Sequence, residues 1–236
     1  MRTKTFAYTV CVLLALIVIV AELNYFIIAA KSKTFAPTNP IEKEPTIYCG
    51  YIQPFDPTVE MLARQITINH TGFWDAILEI YDWVEQHITY QAEPRGQDYF
   101  QTPRETLANG TGDCEDFSIL LASLILAYRP NTTVFCVIIG TAERFTKCVG
   151  HCAVILPAGD EICILDEAGR WLTIDATGKL TTKNAEKEIN AWLKMWDEVG
   201  LPNAQITCTF SSATEQNYDS NSEFLKWIAA TTGGGN

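Results

Sequence analysis

Wound as a helix, the run Phe117–Leu126 is apolar around nearly its whole circumference, through Phe117, Ile119, Leu120, Leu121, Leu124, Ile125 and Leu126. A helix with no polar face must lie inside a fold, so the rest of the domain has to be built around this one. Immediately upstream the chain reads Gly110-Thr111-Gly112-Asp113-Cys114-Glu115-Asp116. The glycines read as a turn and Asp113 as a helix N-cap, which places Cys114 on the first helical turn. Free N–H groups and the dipole at a helix N-terminus favour thiolate over thiol, and a thiolate is the nucleophile that acyl transfer needs. A solitary cysteine before an apolar helix is more often a small core residue. The functional reading therefore requires a base and an acid elsewhere in the chain.

Both are present. His151 opens the apolar, strand-like run His151-Cys152-Ala153-Val154-Ile155-Leu156, and Asp175 ends Trp171-Leu172-Thr173-Ile174-Asp175. A nucleophile on a helix tip can meet a base and an orienting acid carried by adjacent strands.

Gly112-Asp113-Cys114, His151 at a strand start, and Trp171 shortly before Asp175 together resemble the transglutaminase-like superfamily. Pro103-Arg104-Glu105-Thr106-Leu107 fits the approach to the cysteine in bacterial and archaeal members, and the resemblance spans roughly Trp74–Thr177. It implies an α+β, papain/transglutaminase-like core with a buried nucleophile helix packed on an antiparallel sheet, and a Cys114–His151–Asp175 triad. Many relatives carry tryptophan where Phe100 stands, and phenylalanine has no N–H for an oxyanion. The Cys114 backbone N–H is then the first donor, with Gln101 or Tyr99 as the second.

Phe6–Ala30 is almost entirely apolar. A membrane span needs about 20 such residues, and a cleavable signal has an apolar core of only about 7–15. An uncleaved signal anchor is expected at 6–30, behind a short tail at 1–5. Lys31 to Thr58 contains Pro37, Pro40, Pro45, Pro54 and Pro57 and reads as an extended stalk, 31–58. The domain should occupy 59–230 and a flexible tail 231–236. Arg2 and Lys4 before the span nearly balance Lys31 and Lys33 after it, so charge does not orient it. Sequons at Asn69, Asn109 and Asn131, with the cysteine usage, favour a single-pass cell-membrane protein whose domain lies outside the cytoplasm.

Besides Cys11 and Cys114 there are six cysteines, Cys49, Cys136, Cys148, Cys152, Cys163 and Cys208. An even number is consistent with disulfides, and Cys148–Cys152 could brace the strand that carries His151. Buried free thiols are an equally open reading, and no paired zinc-ligand spacing accompanies them. No loop of calcium-binding pattern is found, so neither metal nor cofactor is expected. The net charge of −11 is more negative still beyond the basic flanks of the span, which argues against nucleic acid or an anionic membrane surface as partner.

Helical spacing is read at Trp74–Ile88, Asp113–Tyr128 and Asn184–Val199, with a short final helix around Phe224–Ile228. Strands are read at Val134–Ile139, from His151, at Glu161–Leu165, Arg170–Asp175 and Ile206–Phe210, with Pro157-Ala158-Gly159-Asp160 as a turn. The expected activity is cleavage or transfer at amide bonds of a protein or peptide through a thioester, most simply as a peptidase or amidase. Protein-glutamine transglutamination, and a non-catalytic interaction domain of the same fold, are the alternatives.

Overall fold

The computed structural model describes residues 48–93, 99–141, 150–158, 161–167, 169–171 and 184–232. The nucleophile helix, α4, spans Cys114–Tyr128 and is buried from Cys114 through Leu126. Asp113 caps it, and the Asp116 carboxylate accepts the Asp113 N–H at 3.4 Å, as expected from the acidic N-terminal sequence. Two helices share its layer, α1 at Pro57–Thr67 and α2 at Phe73–His87.

Below α4 lies a six-stranded sheet made of β3 (Phe135–Thr141), β4 (Gly150–Ala158), β5 (Glu161–Asp166), β6 (Gly169–Trp171), β7 (Ala204–Phe210) and β8 (Glu215–Asn217). Its order is β6-β5-β4-β3-β7-β8, and every neighbouring pair is antiparallel. On the far face lie α5 (Ala185–Val199) and α6 (Asn221–Thr232). Strand alternation divides the core. Cys152, Val154 and Leu156 of β4 join the α4 layer, while Ala153 and Ile155 join the α5–α6 layer. Each fully buried Leu or Ile contributes roughly 1.5–3 kcal/mol, so α4 is held firmly in place.

A small device sets the start of α4. The short helix α3, Pro103–Asn109, begins with a Thr102–Glu105 capping box and ends at Gly110, whose φ of 66° is left-handed. The chain then pairs in parallel with the strand after α2. In this ladder β1 (Thr89–Tyr90) meets β2 (Thr111–Gly112), with Tyr90 opposite Gly112, two residues before Cys114.

The expected α+β core is present, and the helix and strand readings hold in most places. Residues 48–58 differ from the stalk reading: Tyr51 and Ile52 are buried, Tyr48 packs on Phe100 and Phe210, and α1 already starts at Pro57. The prolines there serve a helix start as well as extended chain, since Asp56 caps α1 and Pro57 occupies its first turn. Pro157 and Ala158 continue β4, opposite Ile162 and Glu161, rather than forming a turn. Pairing of β4 with β3 ends at Ile155, so the N–H that Pro157 lacks removes no ladder bond on that side. Ile206–Phe210 is followed by one more strand, β8.

Disulfides are the larger correction. Cys49, Cys114, Cys136, Cys152, Cys163 and Cys208 are all free thiols. Cys136, Cys152, Cys163 and Cys208 sit on the sheet face under α4, where they act as small apolar core residues. Because Cys152 is free, the bridge that Cys148–Cys152 could have made is not formed, and the free-thiol reading holds for the described cysteines. Cys148, the span at Phe6–Ala30, most of the stalk, Asp175 and the tail from residue 233 lie outside the described residues. No helix among the described residues is long and apolar enough to cross a membrane.

Candidate active site

The fold brings Cys114 to the strand that carries His151. The buried Cys114 packs in the same core layer as Cys152, the residue after His151, and the Cys152 backbone N–H favours the Cys114 thiolate. Consecutive strand residues face opposite sides, however, and His151 faces the α5 layer. Its ring lies against Trp196, centroid to centroid 3.9 Å, and near Trp192 at 6.4 Å. Among the described residues no hydrogen bond joins the thiol to the imidazole.

The imidazole is held by a residue that the sequence reading passed over. His151 Nε2 lies 3.0 Å from Asp166 Oδ1, and Asp166 is fully buried. A carboxylate only accepts, so the Nε2–H donates to Asp166. The other carboxylate oxygen, Oδ2, accepts the indole N–H of Trp192 at 2.7 Å and of Trp196 at 3.1 Å. Tyr81 of α2 donates to the Asp166 backbone carbonyl at 2.7 Å, which ties the end of β5 to the α4 layer. Glu167 Oε1 stands 3.8 Å from His151 Nδ1, and burial raises the Glu167 pKa while the imidazole opposes that rise.

Around the sulfur the surroundings are acidic. The Cys114 thiol donates to Glu115 Oε2 at 3.2 Å, and donor atoms of Asp113, Cys114 and Glu115 all lie within 4.8 Å of one another. Burial first, and then Glu115 and Asp113, push the thiol pKa well above its ordinary value. Burial and the Asp113 carboxyl push Glu115 up to about 9. Tyr90 of β1 is pushed up to about 12, chiefly by burial and then by the charges of Cys114, Glu167, Asp113 and Glu115. Its hydroxyl therefore lies within electrostatic reach of both the sulfur side and the imidazole side of the site. His151, Asp166 and Glu167 also bring their donor atoms within 4.8 Å of one another. Each of these two triplets has the donors a cation could use, and each is already knitted by its own hydrogen bonds.

Gln101 braces the approach to the helix. Its side-chain amide donates to Asp116 Oδ2 and to the Thr111 carbonyl, its backbone N–H donates to Asp116 Oδ1 at 2.7 Å, and its side-chain oxygen accepts from Asn109. The Tyr99 hydroxyl donates to Glu105 at 2.8 Å. Both side chains expected to serve an oxyanion are thus engaged in holding loop and helix.

A buried, N-capped cysteine helix over an antiparallel sheet, with a carboxylate-bound histidine at a strand start, defines a transglutaminase-like class of domain. Residues 58–193 match the family described as the transglutaminase-like domain, and the chain belongs to that family. Among solved structures, the chain is similar to Legionella pneumophila LapG at 15% identity and a TM-score of 0.44, covering 74% of this chain and 96% of that one. EGTA-treated LapG gives 14% identity and a TM-score of 0.46, covering 78% and 99%. A protein of Cytophaga hutchinsonii described as a cysteine protease gives 15% identity and a TM-score of 0.40, covering 71% of this chain and 50% of that one. No curated protein matches the sequence.

Proposed function

We propose that the chain is a thiol enzyme acting on amide bonds of a protein or peptide, with Cys114 as nucleophile, His151 as base and Asp166 as the acid that orients it. The sulfur forms a bond to the carbonyl carbon and its proton passes to His151 Nδ1. The C–N bond breaks, the amine leaves with that proton, and water resolves the thioester to a carboxylic acid. Asp166 fixes the tautomer that leaves Nδ1 able to accept. The supporting observation is the hydrogen bond that clamps the His151 imidazole to the buried Asp166 carboxylate, on a strand whose next residue, Cys152, packs in the same layer as Cys114. Thiol and imidazole face different sides of the sheet, so the reaction requires the ring to turn toward the sulfur from its place as the second residue of β4. The apolar run Phe6–Ala30 supports a tether to a bilayer.

The test uses labelled peptide substrates, quenched in acid, with mass spectrometry of the intact chain. An acyl adduct on Cys114, formed by the wild type and lost in His151→Ala and Asp166→Asn, is the expected result. Wild-type turnover in His151→Ala, or an adduct on another residue, refutes the assignment. If Asp175→Asn is silenced while Asp166→Asn is not, the orienting acid is Asp175.

A further inference from the structure

The group that faces the sulfur is a carboxyl, not the imidazole. Glu115 is buried, accepts the thiol hydrogen at 3.2 Å, and abuts the Asp113 carboxyl. We propose that Glu115 is a positioning residue that keeps Cys114 a protonated thiol in the substrate-free protein, so that the nucleophile is armed only when this contact is broken. The proposal rests on Cys114 being the nucleophile, and it adds a resting state to that reading.

Three observations converge on it. Two touching carboxyl groups hydrogen-bond only by sharing a proton, so Glu115 and Asp113 form one acidic unit beside the sulfur. The helix N-terminus favours thiolate, yet a thiolate here would form in a buried site against that unit. The other titratable groups facing the sulfur are Tyr90 from β1 and Cys152 from β4, with Glu167 beyond β5 reaching it through the surroundings of Tyr90. None of these is a cation. The thiol proton consequently stays on sulfur, hydrogen-bonded to Glu115 Oε2, until a substrate carbonyl or a shifted imidazole displaces it. No atom is gained or lost: the proton that Glu115 holds against the sulfur is the one that His151 later removes.

The experiment is the pH dependence of Cys114 alkylation by iodoacetamide in the full chain, read by peptide mapping, for wild type, Glu115→Gln and Asp113→Asn. Glu115→Gln preserves size and an acceptor but cannot ionise, so the thiol titrates without that neighbouring charge. Glu115 is itself pushed up to about 9 and is uncharged at neutral pH, so the variants are compared above that pH, where a midpoint lowered by one unit means about tenfold more thiolate. At least that gain is expected for Glu115→Gln, and a smaller one for Asp113→Asn, with circular dichroism and thermal midpoint close to wild type. A Glu115→Gln midpoint equal to or above the wild-type value overturns the proposal. Should Glu115→Gln prove unfolded, Asp113→Asn decides alone by the same criterion. Labelling reads the thiol whether or not any amide is turned over. Failure to form an acyl adduct therefore refutes the enzyme reading alone, and an unmoved midpoint refutes the resting state alone.

Discussion

Replacing Asp166 separates its structural role from its chemical one. In Asp166→Ala three donors lose their acceptor, the buried His151 Nε2–H and Trp192 Nε1–H and the part-buried Trp196 Nε1–H. Each unsatisfied buried donor costs about 1–3 kcal/mol. Even with some relaxation, the loss should be about 3–5 kcal/mol, the range found when one partner of a buried pair is removed. For a unit of this size, Pro45–Asn236, each kcal/mol moves the thermal midpoint by roughly 2–4 °C. Asp166→Ala should thus melt about 10 °C lower. Asp166→Asn behaves differently. Its remaining oxygen can still serve the two indoles, which turns the amide NH₂ toward His151 Nε2. Two donors cannot face each other, so the ring must shift its proton to Nδ1, the nitrogen needed as base. Turnover should fall by about 10⁴-fold, as for a wrong tautomer in a triad, while the thermal midpoint falls far less than in the alanine variant. Scanning calorimetry and an amidase assay read the two effects. An alanine variant that melts within experimental error of wild type, or an asparagine variant with full turnover, refutes the reasoning.

Three further outcomes are expected. Glu115 is raised from 4.5 to about 9 and Asp116 from 3.8 to about 6, each chiefly by burial, so the folded state binds these protons more tightly than the unfolded chain. Stability contributed by such acids falls as pH rises through that window. The thermal midpoint should accordingly decline between about pH 5 and 9, less steeply in Glu115→Gln, and a midpoint that rises there in wild type and variant alike contradicts the assignment. Gly112→Ala would place a Cβ 2.6 Å from the Asp116 Cβ, a backbone-anchored atom with little room to yield. Chemical denaturation should show a loss of about 1–3 kcal/mol, the usual cost of overpacking, and an unchanged midpoint means the first turn of α4 shifts freely. The free thiols Cys49, Cys136, Cys152, Cys163 and Cys208 imply that dithiothreitol leaves the melting curve of the domain unaltered, whereas a clear drop would mean that bridges form.

Helices α2, α4, α5 and α6 were legible because their apolar spacing has one interpretation, whereas α1 and α3 were not read. Phe117–Leu126 must be buried, and Asp113 must cap it, and α4 follows. The start of α1 was missed although its signal was present. Asp56-Pro57 is a helix-entry signal, but it sits among prolines that also suit an extended stalk, and a composition-based reading merges the two. The even cysteine count misled for a different reason. Cys136, Cys152, Cys163 and Cys208 lie on alternating strand positions pointing at α4, a pattern that already marks them as core. Asp166 was hidden because it ends an apolar strand and looks like the first residue of a polar turn. Hairpin arithmetic could have found it. With Ala158 opposite Glu161, Ala153 falls opposite Asp166, which sets Asp166 on the His151 face and diagonal to it.

That same alternation governs the chemistry. His151 and Cys152 are neighbours in one strand, so a sulfur that packs with the Cys152 side chain on the α4 side does not meet an imidazole turned to the α5 side. The sheet lies between them, and His151 is one residue inside the start of β4. Trp196 holds the imidazole in this position, since its ring packs on the imidazole while its N–H shares Asp166. Trp196→Phe keeps the packing and removes one of the three donors to Asp166, which loosens the clamp without emptying it. If the imidazole must move around the strand end for the sulfur to be deprotonated, Trp196→Phe should change kcat more than KM. If the resting geometry is already the reactive one, kcat should stay at its wild-type value. Steady-state kinetics on a single peptide amide distinguishes these outcomes.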